Sequence, residues 1–333
     1  MAKPITQDEI NRAAQLLRAG RLVAFPTETV YGLGANALDP DAVARIYAVK
    51  GRPPTSPLIV HVASAEMAKA LVSAWPQAAD LLTKRFWPGP LTLVLGKRPA
   101  IPDIVTAGLT TVGLRMPAHP VALALIRAAG VPLAAPSANR FTELSPTTAD
   151  HVRRSLGDDV DLILDGGPCQ VGIESTVVSV AGPQPVLFRP GGISRAELEA
   201  LIGPVASARE VSEPEASGQD GPEVLGQEDP SGAHPSPGMH PRHYSPRTTL
   251  FLISDGNLPE QGKGVYLQQT RPASRKDIAI IQMPSDAAAY ASQLYDRLHQ
   301  ADAANADWIA VDQPPATAEW EAVMDRLRRA ATN

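Results

Sequence analysis

Apolar residues recur along the first two hundred positions in short bursts broken by turn formers, a pattern that predicts many strands and a few helices. The chain opens with a helix. Ile10, Ala13, Leu16 and Leu17 fall at helical spacing behind Thr6 and Glu9, a pair that forms a capping box, and Gly20 is the natural stop. Leu22 to Phe25 reads as a buried strand, and Asp39 starts a helix through Ala42, Ile46 and Val49. Pro57 to Val62 is a second strand. Pro76 to Trp87 is helical and is ended by Pro88-Gly89-Pro90. Leu91 to Leu95, Thr111 to Met116 and Pro132 to Ala135 continue the strands, with a helix from His119 to Ala129. Leu162 to Leu164, Ser175 to Val180 and Val186 to Phe188 follow, and Ser194 with Glu197 caps a helix that ends at Gly203. Strands and helices interleave, yet some strands are joined by short links. The expected architecture is therefore α/β with a twisted mixed sheet, not a strictly doubly wound one.

The pattern breaks near Pro204. Residues 211–230 are rich in Glu, Asp, Gly, Pro and Ser and have little to bury, as in a flexible linker. The end of this stretch, Ser236-Pro-Gly-Met-His-Pro-Arg-His-Tyr-Ser-Pro246, carries a cation, two histidines and an aromatic that a plain spacer does not need. Beyond it Leu250 to Ile253, Gly264 to Leu267, Ile278 to Ile281 and Trp308 to Val311 are strand-like. Asp286 to Ala301 and Ala318 to Ala331 are helical. Three regions are expected: a catalytic-sized domain over 1–204, a linker over 205–247, and a small Rossmann-like α/β domain over 248–333.

Composition narrows the function classes. The net charge of −5 over 333 residues argues against holding nucleic acid by bulk charge. The single cysteine, Cys169, excludes an internal disulfide and a cysteine zinc cluster. No apolar run follows the first residues and none reaches membrane length, so a cytoplasmic enzyme without a membrane role is expected. There is no P-loop, no H-E-x-x-H and no G-x-S-x-G, and Gly32-Leu-Gly34 lacks the third glycine of a dinucleotide fingerprint.

Cations and hydroxyls gather instead at predicted strand and helix ends. Lys50 and Arg52 follow a helix, Ser56 and His61 flank or enter a strand, and Arg115 sits inside an apolar one. Ser137 and Asn139 follow a strand, Ser175 begins one, and Arg189 ends another. Ligands of open α/β sheets bind beyond strand ends, so these cations have the right placement to meet phosphates or a carboxylate. Plainer readings stand beside that one. Lys50 and Arg52 can cap a helix C-terminus, Arg115 can pair with a buried carboxylate, and Tyr244 can pin the linker.

Taken together, Pro26-Thr-Glu-Thr-Val-Tyr-Gly-Leu-Gly34, Lys50-Gly-Arg52, Pro136-Ser-Ala-Asn139, Glu174-Ser-Thr-Val177 and Arg189-Pro-Gly-Gly192 occur in an order that resembles the YrdC family. The 236–246 segment followed by a small α/β domain resembles its two-domain branch, although Met239-His-Pro-Arg242 is less basic than that branch's linker. The resemblance implies L-threonylcarbamoyladenylate synthesis from ATP, L-threonine and bicarbonate, with pyrophosphate released and Mg2+ carried mainly by the phosphates. Downstream enzymes would then transfer the group to position 37 of tRNA, and tRNA itself is a candidate partner. It implies that Thr29, His61, Arg115 and Ser175 contact threonine. It implies that Arg52, Ser56, Thr111, Ala135, Ser137, Asn139, Ser145, Arg189 and Tyr244 line the nucleotide, with Lys50 and Arg52 stabilising charge and no protein metal ligand. The competing expectation is a double-stranded RNA or tRNA-binding module without catalysis. A further one is carbamoyl transfer to another acceptor, as in hydrogenase-maturation proteins.

Overall fold

The structure is a computed structural model that describes residues 4–212, 244–254, 256–273, 275 and 277–331. Most of the expected linker, including Met239-His-Pro-Arg242 and His243, lies outside the described residues. In chain order the strands are β1 Val23–Phe25, β2 Gly32–Asn36, β3 Ile59–His61, β4 Leu91–Gly96, β5 Thr111–Arg115, β6 Leu133–Ala134, β7 Leu162–Ile163, β8 Thr176–Ser179, β9 Val186–Arg189, β10 Ala206–Ser207, β11 Thr249–Ile253, β12 Gly264–Gln268, β13 Ala279–Gln282 and β14 Trp308–Asp312. The helices are α1 Gln7–Arg18, α2 Pro40–Lys50, α3 Ala65–Lys69, α4 Gln77–Phe86, α5 Asp103–Thr106, α6 Pro120–Ala129, α7 Ala149–Leu156, α8 Arg195–Ile202, α9 Ala208–Ser212, α10 Ala287–Asp302 and α11 Glu321–Ala330.

Ten strands form one mixed sheet in the order β10-β9-β8-β4-β5-β3-β6-β2-β1-β7. The capping boxes at Thr6 and Ser194 form as expected, and the Asp39 and Asp286 side chains cap α2 and α10. Two large apolar clusters pack around this sheet, one of them joining α1 and α6 to β1 and β6.

No strand was expected over β2, where Gly32 and Gly34 weaken strand preference locally. Long-range packing reverses that preference. β2 pairs antiparallel with β1, and a Cβ at Gly34 would fall 2.7 Å from the Phe25 ring. The large sheet also runs past residue 204: β10 pairs with β9, and Ala206 N donates to Pro185 O.

The second sheet is wholly parallel, in the order β11-β14-β12-β13. Among the described residues the helices of this unit lie between β13 and β14 and after β14, where the sequence places them. The expected helix at Ala318 starts with a 3-10 turn, Ala318–Trp320, and becomes α-helical at Glu321. One apolar cluster crosses between the sheets. It joins Val30, Leu144 and Ile173 to Tyr244 and to Tyr290, Leu294, Tyr295 and Leu327 of α10 and α11. The small domain is therefore packed against the large one through a shared core.

Candidate functional site

Strand periodicity builds the site. β3 and β5 run parallel with His61 opposite Arg115 and Ile59 opposite Gly113. Alternation puts these four positions on one sheet face. Gly113 keeps that face hollow, since a Cβ there would meet Thr92 Cγ2 at 3.3 Å and Ile59 Cγ1 at 3.6 Å. Gly32 deepens the hollow beside Ala135, whose Cβ a Cβ at position 32 would meet at 3.3 Å. Further along, Gly191 lets its turn press onto the start of β8: a Cβ there would lie 2.2 Å from Thr176 N. Only glycine permits that approach.

The result is a cavity of about 50 Å³, bounded by β3, by the loops before β2 and after β6, by the start of β8 and by Tyr244. Its two ends differ in charge. At one end Arg115 Nη2 lies 2.7 Å from Glu28 Oε1, both groups buried, and Arg115 Nε donates to Gly89 O. Glu28 Oε2 also accepts from Ala118 N. His61 is buried beside this pair. Burial, and then the charge of Arg115, pull its imidazole down to about 3, so it is neutral at physiological pH. Thr29 is fixed by a hub at Thr27, whose Oγ lies 2.9 Å from Thr29 Oγ and accepts from Thr29 N and Val30 N.

The other end holds two arginines. Arg52 follows the left-handed Gly51 that ends α2, and it donates to the Ser56 and Pro57 carbonyls. Burial above all lowers its guanidinium to about 10, and Arg189 nearby acts in the same direction. Arg189 donates to Ser175 O, to Ser175 Oγ and to Tyr244 Oη at 3.5 Å. Ser175 Oγ lies 2.8 Å from Thr92 Oγ1. This end can receive an anion, and the Arg115 end can take a zwitterion whose carboxylate meets a guanidinium.

Of the residues singled out in the sequence, Thr29, Arg52, His61, Arg115, Ala135, Ser137, Ser175, Arg189 and Tyr244 line this one cavity. Five do not. Lys50 is buried, and its ammonium donates to Ser137 O (2.6 Å) and to Asn139 O, which ties the loop after β6 to the end of α2. Burial, then the neighbouring Arg52 charge, lower its pKa well below the usual lysine value. Ser56 contributes its carbonyl to Arg52 and to Tyr47 Oη. Asn139 Nδ2 holds the Arg140 and Glu143 carbonyls. Ser145 donates to Glu174 Oε1 at 2.5 Å. Thr111 lies at the opposite end of β5 from Arg115, on the same face. The even choice over Arg115 resolves toward a buried ion pair with Glu28 that also borders the cavity.

Sequence reasoning did not single out Thr27, Gly32, Ile59 or Pro136 as lining residues, and it assigned Glu174 no role. It missed Tyr295 and Arg326 altogether. Both reach Glu174 from the small domain, Tyr295 Oη at 3.0 Å and Arg326 Nε at 2.8 Å. Arg326 is fully buried, and nothing in its basic helical run sets it apart from Arg328 and Arg329.

These features define a two-domain α/β protein with an arginine-lined cavity on its larger sheet. The chain belongs to the Sua5/YciO/YrdC family. That family's model, described as "Telomere recombination", matches residues 15–191, and a model described as "Threonylcarbamoyl-AMP synthase, C-terminal domain" matches 193–332. Relatives named threonylcarbamoyl-AMP synthase from Bacillus subtilis and Pyrococcus abyssi are 42% and 40% identical. The first alignment covers 97% of this chain and 93% of the relative, the second 98% and 95%. A solved structure described as P. abyssi Sua5 complexed with L-threonine superposes with a TM-score of 0.85 at 37% identity, covering 99% of this chain and 96% of that one.

Proposed function

We propose that the chain joins L-threonine, bicarbonate and ATP into threonylcarbamoyl-AMP, for the N6-threonylcarbamoyl modification of adenosine 37 in tRNA. The reading rests on one observation above all: a single buried cavity carries a guanidinium–carboxylate pair at one end and two arginines with a tyrosine at the other. The names of the full-length relatives, and the threonine complex of a protein that superposes over nearly the whole chain, support it.

In this reaction the threonine amine and bicarbonate lose water and form a carbamate. A carbamate oxygen attacks the α-phosphorus of ATP, the new P–O bond forms, and the bond to pyrophosphate breaks. Carbamate and triphosphate are both anionic, so their approach is opposed by like charge. Arg52 and Arg189 offset that repulsion and receive the charge that builds on the departing pyrophosphate. Arg115, held by Glu28, orients the threonine carboxylate. Thr29 and neutral His61 surround the rest of the amino acid without adding charge to that end, and Ser175 reaches it from the Arg189 wall. Ala135, Ser137 and Tyr244 flank the nucleotide. Lys50, Asn139 and Ser145 act from behind the wall, by fixing the loop after β6 and Glu174. Ser56 positions Arg52 through its carbonyl. Alignment of bound groups supplies much of the remaining acceleration, and no covalent nucleophile takes part.

Among the described residues no cluster of three or more His, Cys, Asp or Glu is placed to hold a metal ion. The carboxylates nearest the cavity, Glu28 and Glu174, are already engaged by arginines. In this reading Mg2+ is carried mainly by the ATP phosphates. The expected linker over 205–247, apart from β10 and α9 at its start, joins the domains, and its Tyr244 lines the cavity. The product passes to the enzymes that transfer the threonylcarbamoyl group to tRNA. No helix among the described residues is long and apolar enough to cross a membrane, and a cytoplasmic site of action fits the pathway.

The test is incubation with ATP, Mg2+, bicarbonate and L-threonine, followed by mass spectrometry for threonylcarbamoyl-AMP. Product that needs threonine is expected. Pyrophosphate release of equal rate without threonine, and no such product, overturns the proposal.

A further inference from the structure

Among the described residues Glu174 is the one carboxylate that lines the cavity, and it sits where an anionic nucleotide must approach. Left alone it would repel the triphosphate and attract Arg189. Burial by itself would push its carboxyl up. The charges of Arg326 and Arg189, with hydrogen bonds from Ser145 and Arg326, more than offset that and hold it below the usual carboxylate value. Glu174 is therefore an ion at neutral pH, and its charge has to be answered from the protein side.

The answer comes from the small domain. Arg326 of α11 is fully buried. Its Nε donates to Glu174 Oε2 at 2.8 Å, and its Nη2 to Glu174 O at 3.4 Å and Pro190 O at 3.0 Å. Its Nη1 contacts Asp325 at 2.6 Å, and its guanidinium lies 5.3 Å from the Tyr244 ring centroid. Tyr295 of α10 adds a hydroxyl to the same Glu174 oxygen. One guanidinium thus touches the carboxylate, the turn that carries Arg189, and the aromatic that closes the cavity. Tyr244 has a left-handed backbone (φ 60°), a conformation that costs a non-glycine residue free energy and needs packing to hold it.

We propose that Arg326 is a positioning residue for the nucleotide: by neutralising Glu174 it keeps Arg189 on the Ser175–Tyr244 wall instead of on the carboxylate. The small domain then completes the nucleotide end of the cavity and leaves the threonine end alone, since Arg115 has its own partner in Glu28. The inference rests on the synthase reading given above. It makes a prediction that a merely structural arginine does not, namely a change in ATP binding without a change in threonine binding.

The experiment compares the full-length chain with Arg326→Met, Tyr295→Phe, and the double variant Arg326→Met/Glu174→Gln. ATP and threonine affinities are each measured by calorimetry, alongside threonylcarbamoyl-AMP production. Arg326→Met should weaken ATP binding about thirtyfold or more, as expected when one member of a buried charge pair is lost, with threonine affinity within twofold. Adding Glu174→Gln should recover most of the ATP affinity, because the uncompensated charge is then gone. Tyr295→Phe, which removes a single hydroxyl, should weaken ATP binding a few-fold and serves if Arg326→Met fails to fold. Equal losses for both ligands, or a double variant no better than the single one, overturn the proposal; so does ATP affinity unchanged in folded Tyr295→Phe. If the wild-type chain makes no threonylcarbamoyl-AMP, it is the synthase reading that falls, and the ATP-binding cycle still reports on Arg326.

Discussion

Replacing Arg52 with alanine should remove much of the enzyme's ability to form the P–O bond while leaving threonine binding in place. Arg52 is only 7% exposed, and two of its nitrogens are held by the Ser56 and Pro57 carbonyls. Its direction is thus set before any ligand arrives, and little reorganisation is needed when charge develops on the pyrophosphate. Two unit charges 4 Å apart interact by about 4 kcal/mol at an effective dielectric constant of about 20. Loss of one preorganised donor to a developing oxyanion costs about 2.7–4 kcal/mol by experience with other enzymes. The two figures agree, and they predict a fall in kcat/KM for ATP of about 10²–10³-fold. A guanidinium lowered only to about 10 stays charged throughout the assay range, so the loss should not depend on pH between 6 and about 9. The assay is threonine- and bicarbonate-dependent pyrophosphate release, with threonine affinity measured separately. Because Ser56 O and Pro57 O lose a donor, folding stability should also drop by about 1–3 kcal/mol, which denaturant unfolding would register. Pyrophosphate release within threefold of the wild type would refute the reasoning. So would a collapse of threonine affinity equal to that for ATP, which would mean the two ends of the cavity are not separable.

Other perturbations probe different parts of the structure. Glu28→Gln leaves Arg115 buried without its counter-charge, so stability should fall by about 3–5 kcal/mol and threonine affinity should weaken more than ATP affinity; urea unfolding and calorimetry check both. Cys169→Ser should remain active, because Cys169 is buried and its thiol is pushed up to about 12, mainly by burial; a maleimide should label it slowly in the folded protein and fast in denaturant. His151 and His299 stack at the domain interface with centroids 3.9 Å apart. Burial foremost lowers them to about 4 and about 3. Between about pH 6.5 and those values the unfolded chain binds protons that the folded chain does not, so stability is full above about 6.5 and is lost as pH falls. Each histidine contributes a slope of up to about 1.4 kcal/mol per pH unit in that window, and His299→Gln should make the thermal-melting curve against pH measurably flatter.

Local chemistry made part of this molecule legible from its sequence. The Thr6–Glu9 and Ser194–Glu197 boxes, the Asp39 cap and the apolar bursts at Leu91 and Thr111 fix their elements without help from distant residues. The mixed sheet followed from strands joined by short links. Where long-range contact decides, the sequence was silent. Gly32 and Gly34 lower strand propensity, yet β2 exists because β1 and β6 flank it and the Phe25 ring needs the space that a Cβ would fill. Helix α7 has a Thr148 cap and buries His151, Val152 and Leu156, but its apolar stripe is short and interrupted by charge.

The same division runs through the site. Arg115 and Arg189 could be picked out because a cation in or at the end of an apolar strand is a local anomaly, and Arg52 because it follows a helix in Lys50-Gly51-Arg52. Arg326 could not, because it stands in a run with Arg328 and Arg329 on a charged helix and its partner Glu174 lies 152 residues earlier. A guanidinium on an amphipathic helix looks like a solvated face until the fold shows which carboxylate it meets. Lys50 errs the other way. It stands in the most recognisable motif of the chain, yet its ammonium is buried among carbonyls and does not line the cavity. Motif strength and contact with ligand are therefore separate properties here. A lysine that ties the loop after β6 to the end of α2 constrains the sequence as tightly as one that touches phosphate. The distinction has a measurable form: Lys50→Met should lower stability and disturb the Pro136–Asn139 loop, whereas Arg52→Ala should act mainly on ATP.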